Sequence, residues 1–160
     1  MLFLHLLLVG AQGQTPVDRV ELPAPDGAYV VFEADAKRPT FYLSKEGTSF
    51  FCDVPAGTKG TNSKLWQRWA AYLEQIADTA PANPDADWGW LKTGIGSSQM
   101  VGYCNAIAST RDGRIMLSVF HNRACFGSAG CNKDQITLLV TPDYLRAMAA
   151  QFRAHDPKRK

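Results

Sequence analysis

One long amphipathic helix pattern separates two groups of strand-like segments, and this spacing narrows the architectures open to the chain. Parallel strands need a crossover of about a dozen residues or more between neighbours, whereas antiparallel strands need only a tight turn. Before the helix, Val-, Phe- and Tyr-rich segments occupy residues 28–34, 39–44 and 48–54, with a short strand at 19–22. Lys45-Glu46-Gly47 is a tight connection between the last two. Residues 99–109, 114–121 and 135–140 form the second group, and Asp112-Gly113 marks a hairpin between its first two strands. The short hairpins fit antiparallel pairing better than parallel crossovers.

The intervening helix starts at a cap, Asn62 or Ser63, and carries Trp66, Trp69, Ala70, Leu73, Ile76 and Ala77 on one face. Gln67, Arg68, Glu74 and Gln75 supply the opposite surface. A second helix starts at Thr141-Pro142-Asp143, which combines a capping hydroxyl, proline in the first turn and an acid at the positive helix end. Its buried stripe is Leu145, Met148, Ala149 and Phe152. The expected fold is α+β: an antiparallel sheet with two amphipathic helices packed on one face, supported by disulfides. The strand-strand-strand-helix plan occurs twice, but the side-chain patterns do not match and indicate no sequence repeat.

The N-terminus has a different character. Leu2 to Val9 is apolar apart from His5, and Ala11 and Gly13 are small residues ahead of Gln14. The pattern is that of a secretory signal at residues 1–13, although no Lys or Arg precedes the apolar run. The run is shorter than the roughly 20 residues of a spanning helix, and no cysteine follows closely to be lipidated. Residues 14–152 are expected to form one domain and 153–160 a polar, basic tail, whose last six residues, HDPKRK, are expected to fray. The expected destination is periplasmic or extracellular, with no stable membrane insertion after signal removal.

Export bears on the four cysteines. In an oxidising compartment they favour disulfides, and the expected pairs are Cys52–Cys104 and Cys125–Cys131. Zinc ligation by Cys104, His121, Cys125 and Cys131 is the weaker reading, because their spacing lacks paired knuckles. No metal site is expected.

Catalytic constellations are incomplete. His121, at the end of a strand, could serve a small hydrolase with Cys104, Ser97 or Ser98, but a thiolate at Cys104 conflicts with disulfide formation. No G-x-S-x-G elbow or H-E-x-x-H motif occurs. Gly94 and Gly96 alone do not make a nucleotide fingerprint, so no cofactor is expected.

A net charge of +2 supplies no field for a specific nucleic-acid partner. The charge is uneven, at −3 over residues 14–57 and +5 over 58–160, which would orient an encounter with a charged partner. Trp88 and Trp90, with Asp85, Asp87 and Lys92 around them, place large apolar contacts among polar groups, and Arg123 opens a second loop. These features favour an exported binding protein of the inhibitor or immunity type over an enzyme. A small-ligand pocket beside the tryptophans is the binding alternative.

Overall fold

The computed structural model describes residues 18–34, 39–52, 61–91, 104–121 and 135–156. The signal expected at residues 1–13 and the Cys125–Cys131 pair lie outside the described residues. Strands β1 (Asp18–Pro23), β2 (Tyr29–Ala34), β3 (Pro39–Lys45) and β4 (Thr48–Cys52) precede helix α1 (Thr61–Thr79) and a 3-10 turn at Ala80–Ala82. Strands β5 (Ala86–Trp88), β6 (Cys104–Arg111), β7 (Arg114–His121) and β8 (Gln135–Val140) precede helix α2 (Pro142–Ala154).

The strands form two antiparallel four-stranded sheets, β1-β2-β3-β4 and β5-β6-β7-β8, where the sequence suggested one. Each is a meander followed by a helix, so the architecture is α+β and its plan occurs twice. The hairpins follow from local chemistry. Glu46 and Gly47 have φ of 49° and 78°, and Asp112 and Gly113 have 51° and 73°. Positive φ at both central residues gives a two-residue turn whose twist matches that of the flanking strands.

Strand β5 emerges from the stretch 81–87, PANPDAD, whose prolines, Asn and Asp favour turns locally. Long-range contacts hold it rather than local propensity. The Ala86 N–H donates to Thr110 Oγ1 at 2.9 Å, and that hydroxyl donates to the Asn83 carbonyl at 2.6 Å. The Gly113 N–H reaches the Pro84 carbonyl at 3.1 Å. These bonds tie the approach to β5 onto the β6–β7 hairpin.

The stripe expected on α1 is buried in full, as is that on α2. Phe41, Trp69 and Phe152 join a strand to the two helices, with ring centroids 5.0–5.3 Å apart. Burial of such large apolar side chains is the main favourable contribution to folding. Across the helix pair, Arg153 Nε donates to Glu74 at 2.8 Å and Arg146 pairs with Asp78 at 3.0 Å. The Thr141 hydroxyl accepts from the Tyr144 N–H at 3.2 Å, which confirms the cap.

The chain stays packed beyond position 152. Helix α2 continues to Ala154, and His155 and Asp156 are buried. Gln67 donates to Asp156 at 3.1 Å, and the His155 ring lies on Phe32 at 5.8 Å. The early residues of the stretch expected to fray therefore cover the aromatic core. Cys52 and Cys104 form the expected disulfide and tie the last residue of β4 to the first of β6.

Candidate functional site

The tryptophan pair divides at Gly89. Trp88 belongs to β5, opposite Ala108, and packs half-buried against the core. Its indole N–H donates to Thr79 Oγ1 at 3.0 Å, at the end of α1. Trp90 instead is 56% exposed, with its ring 5.2 Å from that of Phe120 on β7. Between them, the Gly89 carbonyl accepts from the Tyr72 hydroxyl at 3.0 Å. Burial pushes the Tyr72 phenol up to about 12, so it remains a hydrogen-bond donor at neutral pH.

This arrangement opens a surface cavity of about 460 Å3 in which Arg68, Tyr72 and Gln75 of α1 face Trp88, Gly89 and Trp90. One wall is a helix and the other a strand with its extension, fixed by Leu91, whose N–H donates to the Ala106 carbonyl at 2.8 Å. The residues from α1 were missed as site residues because helical periodicity reads exposed polar positions as solvated surface. Only the pairing of β5 with β6 brings them opposite Trp90.

The acids beside the tryptophans serve the scaffold. Asp87 pairs with Arg111 at 2.7 Å, and Asp85 accepts from the Asp112 N–H at 3.2 Å. Both brace β5 against the β6–β7 hairpin. Lys92, Arg123, Ser97 and Ser98 lie outside the described residues.

The catalytic candidates do not assemble into a nucleophile pair. Residues 104 and 121 are register partners on β6 and β7, so their backbones are adjacent as the hairpin suggested. However, the Cys104 sulfur is bonded to Cys52, and both cysteines are buried. A disulfide sulfur is neither the thiolate that a Cys104–His121 pair would need nor a zinc ligand. The side chain of His121 lies outside the described residues. Comparison with protein-family models, curated proteins and solved structures finds no match to this chain.

Proposed function

We propose that the protein is an exported binding protein of the inhibitor or immunity type, and that it engages a protein partner through Trp90 and the groove between α1 and β5. The observation that carries this reading is the exposure of Trp90 on a fixed support: more than half of its surface is open while its ring rests on Phe120. A large aromatic held in place before binding contributes contact area at little conformational cost, which is the usual character of an interfacial anchor. Arg68 and Gln75 supply a polar rim to the same groove.

Export is supported by the disulfide, since such bonds persist in oxidising compartments. Among the described residues no helix is long and apolar enough to cross a membrane.

The test is capture of a partner from the exported protein fraction by residues 14–160, repeated with W90A. Loss of capture by a W90A protein with an unchanged thermal melt supports the reading. Undiminished capture by the folded variant overturns the role of Trp90.

A further inference from the structure

A second cavity, of about 450 Å3, lies where the 3-10 turn meets the β6–β7 hairpin and the start of α2. Its walls include Pro25, Pro81, Pro84, Pro142 and Leu139, with Arg114 among them. Cavities of roughly 300–1,000 Å3 accommodate small ligands. Leu139 is unusually exposed for a large apolar side chain, at 38%. No described residue lining the cavity is acidic.

Among the described residues Arg114 is set apart by its lack of a side-chain partner. Arg19, Arg111, Arg146 and Arg153 each pair with a carboxylate. Arg114 is exposed and makes no side-chain hydrogen bond or ion pair with the described residues. A free guanidinium at the side of an apolar groove is complementary to an anionic head on an apolar body. The groove is suited to one negative charge rather than two, because Arg114 is the single charged side chain among the described residues that line it.

The backbone chemistry of the walls distinguishes a hydrocarbon from a peptide. The four prolines have no N–H to donate. The Gly113 N–H is taken by the Pro84 carbonyl, and the Leu139 N–H by Asp26. An extended peptide laid along the prolines would find no backbone donor from them for its carbonyls, at a cost that a hydrocarbon chain does not incur. We propose that this groove binds a small amphipathic monocarboxylate, with its apolar chain against the prolines and Leu139 and its carboxylate on Arg114. The site is independent of Trp90.

The test is titration of the full chain with decanoate, followed by amide NMR and calorimetry, with 1-decanol and an uncharged Leu-Val-Leu peptide, acetylated at its N-terminus and amidated at its C-terminus, as comparison probes. Wild type should bind decanoate saturably, with the largest amide shifts at Gly113, Ile115 and Val140. Arg114→Gln should weaken decanoate about tenfold, or about 1.4 kcal/mol, and leave 1-decanol binding unchanged. The native fold of this variant is checked by its thermal melt, and Leu139→Asp supplies a second variant that should lose both decyl probes. Equal decanoate affinity in wild type and Arg114→Gln overturns the assignment. So does an absence of saturable binding, a set of shifts centred on Trp90, or tighter binding of the peptide than of decanoate.

Discussion

Asp26 and Lys45 form an ion pair of 2.6 Å that takes the place of a neighbouring strand along β8. The same Asp26 carboxylate accepts from the Leu139 N–H at 3.0 Å, and Lys45 Nζ donates to the Thr137 carbonyl at 2.9 Å. Residues 137 and 139 direct their backbone groups away from β7, so these two side chains satisfy an edge that would otherwise be open. Exposed edges invite pairing with other chains, and charged side chains are a common means of blocking them. The pair also explains why the two meanders remain separate sheets: side chains occupy the β8 edge where a backbone ladder would have to form.

Acid should loosen this clamp. Burial of Asp26 penalises its charge, but hydrogen bonds from Lys45, Leu139 and Ala28 outweigh that penalty and hold its carboxyl below the usual range. The folded state therefore takes up this proton less readily than the unfolded chain, whose Asp titrates near about 3.9. The stabilisation is present above about pH 4 and is lost as pH falls through the lowered native value. Asp26→Asn should lower stability by about 1–3 kcal/mol at neutral pH and flatten the acid limb of the stability profile. Denaturant melts of both proteins between pH 7 and pH 2 measure this, and parallel acid limbs would exclude the clamp as the source. Glu74, held low by Arg153, has the same sign in both proteins and cancels in the comparison.

The Cys52–Cys104 bond closes a sequence separation of 52 residues. Chain-entropy reasoning assigns such a loop about 4 kcal/mol, before any strain or residual structure in the unfolded chain is considered. The double variant C52A/C104A should approach that loss in a denaturant melt. Because the two side chains are only 1% and 3% exposed, reductant should act slowly on the native protein and quickly once it unfolds. Non-reducing peptide mapping should find this link separate from a Cys125–Cys131 peptide. Rapid native reduction, or a different pairing, would contradict the buried bridge.

On the proposed export, the mature product should begin close to Gln14. N-terminal sequencing is expected to find a new terminus between residues 11 and 17, as the small residues after the apolar run suggest. Retention of Met1 on cytosolic protein would remove both the targeting assignment and the compartment argument for oxidation.

What the sequence made legible was local. Thr141, Pro142 and the Leu145–Phe152 stripe define α2 through contacts a few residues apart, and Asp112-Gly113 defines its turn by backbone sterics alone. The Cys52–Cys104 pairing could be anticipated because few partners exist. Strand β5 could not, since Ala86 is held by Thr110, which is distant in sequence. The same limit applied to the groove: Tyr72 and Trp90 belong to different elements, and no periodicity connects them. The two-sheet arrangement also depends on such contacts, because Asp26 sits in a turn whose carboxylate meets β8 only after folding.

The division of labour between Trp88 and Trp90 gives the sharpest test of the site. Trp88 is packed against the core and bonded to Thr79, so Trp88→Phe should cost about 1 kcal/mol for the lost hydrogen bond, and Trp88→Ala more. Trp90→Ala should change stability by less, because most of its surface faces solvent and its loss leaves no enclosed cavity. In a binding assay the order reverses: Trp90→Ala should weaken the partner complex by about 1–3 kcal/mol, while Trp88→Phe leaves it close to wild type. Thermal melts of the free variants separate the two effects. If Trp90→Ala unfolds the protein as severely as Trp88→Ala, the Trp90–Phe120 contact is part of the core rather than an anchor. If Trp90→Ala preserves both fold and affinity, the partner contact lies elsewhere on the surface.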